Sequence, residues 1–154
     1  MNSKRIGNIG EAKALSKFVE LNIPVYIPFG DNETADLVAD FNGKLNKIQV
    51  KTSIKAQDGK MEFNTASSMS KSHKGDTVHK YTETEVDYYV FYNIDRDKIF
   101  LVPFDEVGAR GFTIRYELPK NGQKIGVHME KDYTFEKIIC PLTQVGEEGT
   151  LLMC

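Results

Sequence analysis

The dipeptide Asn42-Gly43 narrows the fold more than any other feature of this chain. It separates two strand-like runs, 35–41 and 44–52. Asn-Gly in that setting favours a type I′ hairpin, because both central residues of the turn need positive φ. A two-residue loop also sets the register. Phe41 then faces Lys44, and further along Asp36 falls opposite Gln49. Strand side chains alternate, so Lys51 shares the face of Asp36 and Gln49, while Ile48 and Val50 point into the core. The first face is expected to look toward solvent, and turn chemistry alone has gathered an acid, an amide and a lysine on it.

The rest of the chain supplies a frame for that hairpin. Residues 7–22 are expected to form a helix whose apolar face is Ile9, Leu15, Phe18, Val19 and Asn22. Asn8 would cap it, with Glu11 as the capping-box partner three residues on. Pro24 and Pro28 bracket a short extended stretch, Val25-Tyr26-Ile27. Residues 54–82 read as loop with short elements. Strands are expected at 86–92 and 98–103 around the turn 93–97, a fifth at 112–118, and a closing helix at 132–139. Tyr88, Tyr89, Phe91, Tyr92 and Phe100 belong to the sheet core in this reading. The fold class is mixed α/β: one N-terminal helix on a central, mostly antiparallel sheet, in a single domain spanning 1–154.

Several function classes drop out. No apolar run approaches the roughly 18 residues of a membrane span. The opening residues lack the apolar stretch of a secretory signal, and Cys140 and Cys154 have no metal-type spacing and no disulfide framework, so a cytoplasmic setting is expected. The three histidines lack ligand spacing as well. The net charge of −2 permits nucleic-acid binding without arguing for it. Its distribution says more: residues 81–109 carry seven acidic and two basic side chains, whereas 110–132 carry three and five. Outside the acidic segment the chain is mildly basic.

The chemistry that the hairpin patch suits is phosphodiester hydrolysis. That reaction needs charge neutralisation at the phosphate, an activated water and a stabilised leaving oxygen. Carboxylate-held magnesium and a nearby lysine supply these. Asp36, then Gln49-Val50-Lys51, with Glu11 on the first helix, form such a set. The runs Gly10-Glu11-Ala12, Ala35-Asp36-Leu37-Val38 and Lys47-Ile48-Gln49-Val50-Lys51-Thr52 resemble the PD-(D/E)XK nucleases, a superfamily that includes restriction enzymes and archaeal Holliday junction resolvases. The segments Val86-Asp87-Tyr88-Tyr89-Val90 and Phe100-Leu101-Val102-Pro103, with Arg115 and the turn Lys120-Asn121-Gly122-Gln123, are similar to a narrower branch, the small homing endonucleases of bacterial group I introns.

The resemblance implies a restriction-endonuclease-like core and a metal-dependent, sequence-specific double-strand endonuclease. Its catalytic residues would be Glu11, Asp36, Gln49 and Lys51. Magnesium, replaceable by manganese, would be held by Glu11, Asp36, Gln49 and Val50. A subunit this small reads few base pairs, so the resemblance also implies a homodimer or homotetramer on pseudo-palindromic DNA. The apolar 149–153 stretch is an expected interface element. DNA contacts are expected from Lys55, Lys60, Lys71, Lys74 and Lys80, and from Arg110, Arg115, Lys120 and Lys124.

One departure stands out. Gln49 occupies a position where the superfamily usually has Asp or Glu, and an amide oxygen brings no charge. Gln49 is then either a neutral metal ligand or the mark of a non-cutting, DNA-binding relative. A junction resolvase, reading shape over sequence, is the enzymatic alternative.

Overall fold

The computed structural model describes residues 1–30, 32–69 and 77–140. Lys71 and Lys74 and the 149–153 stretch lie outside them. Helix α1 runs Ser3–Glu20. It begins four residues before the expected start because Asn2, not Asn8, is the cap: its side chain accepts from the Arg5 N–H at 2.9 Å. Asn8 and Glu11 therefore lie within the helix, and Glu11 is no capping-box partner. The far end closes as a Schellman motif, in which Ile23 N–H donates to Phe18 O at 2.9 Å and Asn22 N–H to Val19 O at 3.0 Å. Asn22 adopts the left-handed conformation that this motif requires, with φ 59°.

The buried face of α1 is Gly10, Ala14 and Phe18, while Val19, expected inside, is 62% exposed. Small residues carry no apolar signal in a sequence, yet here they let the helix lie close to the sheet.

That sheet has five strands. In chain order they are β1 (Val25–Tyr26), β2 (Leu37–Phe41), β3 (Lys44–Ser53), β8 (Tyr88–Asn93) and β9 (Lys98–Pro103), and they lie side by side in the same order. All neighbours are antiparallel except β3 and β8, which pair parallel from Ile48 opposite Tyr88 to Ser53 opposite Asn93. Asn42 and Gly43 have φ of 55° and 71°, as a type I′ turn demands. Buried Asn46 braces the turn by donating to the carbonyls of Lys44 and Phe41 at 2.9 and 3.1 Å.

The described residues between 54 and 82 contain more strand than the sequence suggested. They hold β4 (Ala56–Gln57), β5 (Lys60–Asn64), β6 (Ser67–Met69) and β7 (Thr77–His79). Asp58 and Gly59, at φ 54° and 72°, make a second turn of the same chemistry between β4 and β5. The expected fifth strand is β10 (Gly111–Arg115). It leaves the central sheet to pair with β5, giving a separate three-stranded sheet in the order β10-β5-β4. The closing helix, α2 (Phe135–Ile139), is one short stretch capped by Thr134.

Two cores result, one on each face of the central sheet. On one face α1 and α2 bury Ala14, Phe18, Ile48, Val50, Val90, Leu101 and Phe135. On the other, the small sheet packs Met61, Phe63, Phe112 and Ile114 against Tyr89, Phe91, Phe100 and Val102. Phe91 is the hub of this second core, its ring 4.7 Å from Phe63 and 5.5 Å from Phe112. Burial of this order, about 25 cal/mol per Å² of apolar surface, is the main force holding the layers together.

Candidate active site

The acids and the lysine meet where the hairpin comes apart. β2 begins at Leu37 opposite Ile48, but β3 runs on to Ser53. Beyond Ile48 the near edge of β3 therefore has no strand beside it. The Val50 N–H on that edge is taken up instead by the Asp36 carboxylate, Oδ2 at 2.8 Å, while Asp36 N–H donates to Ile48 O at 2.9 Å. A side chain thus replaces a strand at the mouth of the hairpin, and Asp36 is anchored by backbone through both its carboxylate and its amide. Val50 itself is core, so the only ligand it can offer is its carbonyl.

Gln49 and Lys51 pair with Tyr89 and Phe91, and so face the second core. This corrects the expectation of a solvent-facing patch. Gln49 is only 7% exposed, and its Oε1 is buried with no hydrogen-bond partner. Such an orphan acceptor costs about 1–3 kcal/mol unless something completes it. Lys51 is half-buried and lays its ammonium over the Tyr81 ring, 5.0 Å from the centroid. Glu11, on α1, lies near enough for its carboxyl to feel the Asp36 charge. One turn of helix is pressed onto β3 here: Gly10 is buried, and a Cβ on it would fall 1.8 Å from Thr52 Oγ1, itself buried and unpartnered.

Electrostatics couple the group. Partial burial, and secondarily the nearby Asp36, push the Glu11 carboxyl up from its ordinary value. Burial likewise raises Asp36, against the opposing pull of the Val50 N–H and the Lys51 charge. Burial lowers Lys51, with Asp36 opposing. Desolvation disfavours the charged form of all three. Among the described residues no three His, Cys, Asp or Glu side chains are placed to hold a metal. The set here is instead two acids, an amide oxygen and a main-chain carbonyl, all oxygen donors of the kind a hard divalent cation takes. The orphan Gln49 Oε1 is the observation that fits such an ion.

A family model described as PD-(D/E)XK endonuclease matches residues 1–136. The chain belongs to the PD-(D/E)XK endonuclease family. Its fold is similar to the solved structure of a bacterial homing endonuclease, I-Ssp6803I, at 23% identity and a TM-score of 0.65, covering 80% of this chain and 84% of that one. No curated protein matches the sequence. PD-(D/E)XK endonucleases typically work with divalent metals, which agrees with the donor set at the hairpin mouth.

The basic residues of this endonuclease are redistributed by the fold. β5 and β10 are neighbours, with Arg115 opposite Lys60, so two segments remote in sequence share one small sheet. Lys60, Arg115 and Lys120 line a groove of about 570 Å³, together with Asp58, Glu117 and His128. Lys60 is paired with Glu62 at 2.7 Å, and the Arg115 guanidinium donates to the carbonyls of Glu117 and Asp58. Lys124 is exposed on the same loop, whereas Arg110 is exposed at the opposite end of β10. Lys55 and Lys80 are exposed, Lys80 directly before Tyr81. Sequence reasoning gave no role to Gly10, Thr52 or Tyr81. Only the glycine beside a helix acid offered a signal, since a close backbone approach is one use of glycine.

No helix among the described residues is long and apolar enough to cross a membrane.

Proposed function

We propose that this endonuclease cuts double-stranded DNA in a metal-dependent and sequence-specific way, as a homing enzyme. Glu11, Asp36, the Gln49 amide oxygen and the Val50 carbonyl hold magnesium, or manganese in its place. The observation that carries the reading is the buried, unpartnered Gln49 Oε1 beside Asp36 at the open end of the hairpin. A neutral relative with a fossil site would have no reason to keep that unmet acceptor.

Bound there, the ion supplies charge neutralisation and a more acidic water. The chain's own residues do the rest. Asp36, locked to the Val50 N–H through Oδ2, leaves its other carboxylate oxygen available as a ligand. Lys51 sits two residues along the same face as Gln49, where its ammonium can hold a water by hydrogen bonding or offset charge growing on the phosphate. The Tyr81 ring restricts that ammonium and keeps it from swinging into solvent. The second sheet closes one side of the patch and excludes bulk water, which strengthens every charge interaction within it.

Substrate positioning falls to the basic side chains. Lys55, Lys80, Lys120 and Lys124 are exposed and suited to phosphates, and Arg115 on the groove is suited to base edges. As a single nuclease domain the chain brings one cutting site, so a double-strand break calls for a homodimer or tetramer and a pseudo-palindromic target. The fold likeness to a bacterial homing endonuclease supports the intron-homing role.

The test is cleavage of linear duplex carrying the intron-free allele of the gene that hosts this reading frame. Cutting in magnesium or manganese, loss in EDTA, and binding without efficient cutting in calcium are expected. Full cleavage in excess EDTA overturns the metal mechanism. Preference for a four-way junction over duplex would make the enzyme a resolvase instead, and tight metal-independent binding without nicking would make it a non-catalytic relative.

A further inference from the structure

We propose that the contact between Gly10 and Thr52 is the stop that sets how far Glu11 reaches over the edge of β3, and so how well Glu11 completes the site with Asp36. The inference rests on the nuclease reading and adds two positioning residues to it.

Three observations converge. Gly10 immediately precedes Glu11 in a helix, so any displacement of the backbone at Gly10 is passed to Glu11 by a rigid element. Thr52 immediately follows Lys51 and extends from the opposite face of β3, into the helix layer. The two meet so closely that a Cβ at Gly10 would lie 1.8 Å from Thr52 Oγ1, against 3.1 and 3.4 Å from the other two threonine side-chain atoms.

The hydroxyl is the tight point of the contact, and it makes no hydrogen bond. A buried hydroxyl without a partner is a poor choice for packing alone, because desolvating it costs free energy that a methyl group would not. What the oxygen offers is a smaller radius, and it can take a weak contact from a glycine Cα–H. The pair thus permits an approach of helix to strand that neither Ala at position 10 nor a methyl in place of the hydroxyl would allow. To restore even a tight 3.0 Å contact, Gly10→Ala must part helix from strand by about 1.2 Å, or turn Thr52 aside. A misplacement of about 1 Å in a catalytic group costs on the order of 10²-fold in rate.

A double-mutant cycle tests this, with two readouts. One is the single-turnover cleavage rate in magnesium, and the other is the manganese dissociation constant measured by calorimetry on the full chain without DNA. Gly10→Ala is expected to slow cleavage by about 10- to 100-fold and to weaken manganese binding about as much as Glu11→Ala does. In a Thr52→Ala background the clashing oxygen is gone, and adding Gly10→Ala should change either readout by less than about threefold. In a Glu11→Ala background Gly10→Ala should add nothing further, which a general loss of folding would not reproduce. Thermal melts of every variant confirm that folded protein is compared.

A flat cycle, with Gly10→Ala near wild type, shows that Thr52 simply turns aside and overturns the proposal. Equal damage from Gly10→Ala with and without Thr52 also overturns it, since the contact is then not the cause. Both results leave the nuclease reading standing if the wild-type chain binds manganese and cuts. A wild-type chain that does neither removes that reading and this inference with it.

Discussion

Replacing Gln49 by leucine separates a stability effect from a functional one, because the two move in opposite directions. Gln49 is 7% exposed and its Oε1 is buried without a partner. An unsatisfied buried acceptor costs about 1–3 kcal/mol, and an apolar side chain of similar volume removes that cost. Without metal, Gln49→Leu should therefore be more stable than wild type by about 1–2 kcal/mol. For a chain of this length each kcal/mol is worth about 2–4 °C, so its melting temperature in EDTA should rise by about 2–8 °C.

With magnesium at about 100 times its dissociation constant, the wild-type protein gains about 2.7 kcal/mol from binding. The leucine variant, lacking a ligand, forgoes most of that gain, and the order of the two melting temperatures reverses. Gln49→Ala should be as defective in cleavage as the leucine variant. Gln49→Glu adds a third carboxylate beside Asp36 and Glu11, so it should need less magnesium while keeping part of its activity. Thermal melts in EDTA and across a magnesium series, with cleavage rates on the same samples, give the answer. A Gln49→Leu protein that melts lower in EDTA, gains as much as wild type from magnesium and cuts at the wild-type rate would refute the argument. Gln49 would then be scaffold, and the site would shrink to Glu11, Asp36 and Lys51.

Other expectations concern the remaining site and the DNA surface. Asp36→Ala and Lys51→Ala should each lower the cleavage rate by at least about 10²–10³-fold, with DNA affinity by gel shift largely intact; a Lys51→Ala enzyme cutting near the wild-type rate would remove Lys51 from the mechanism. Neutralising exposed Lys120 and Lys124 should flatten the dependence of log binding constant on log salt by about 0.9 for each phosphate they would otherwise neutralise. An unchanged slope in fluorescence-anisotropy titrations would mean that this loop faces away from the DNA.

The part of the fold that local rules control was legible in the sequence. Asn42-Gly43 dictated the register of β2 and β3, from Phe41 opposite Lys44 to Leu37 opposite Ile48, but the pairing stops one residue short of Asp36, which is held on β3 by its carboxylate and its amide instead. What escaped was set by packing between remote segments. The exposure of Val19 and the burial of Ala14 depend on which face α1 turns to the sheet, the face on which Gly10 lies against Thr52. Asp58-Gly59 carries the same turn signal as Asn42-Gly43, but the hairpin it makes is short, with β4 facing only Lys60 and Met61, and the full length of β5 is paired by β10, a segment remote in sequence. For the same reason the Gln49 face reads as solvated by alternation, although a second sheet covers it. Tyr81, in a stretch read as loop, finds Lys51 only through the tertiary fold.

The parallel pairing of β3 with β8 has a consequence for the order in which the molecule forms. The β2–β3 hairpin closes a two-residue loop, whereas β8 must return to β3 across a separation of about forty residues, as Lys47 and Asp87 show. Closing the longer loop costs more chain entropy before any contact repays it, so the hairpin is the early event and the docking of β8 the late one. Gln49 and Lys51 thus lie on a ribbon, with Asp36 at its open end, that exists before its aromatic floor does. During that interval the far edge of β3 is open, and only the arrival of Tyr88 to Asn93 seals it. A newly made chain at high concentration is most exposed at this edge, where a strand from another copy competes for the place of β8.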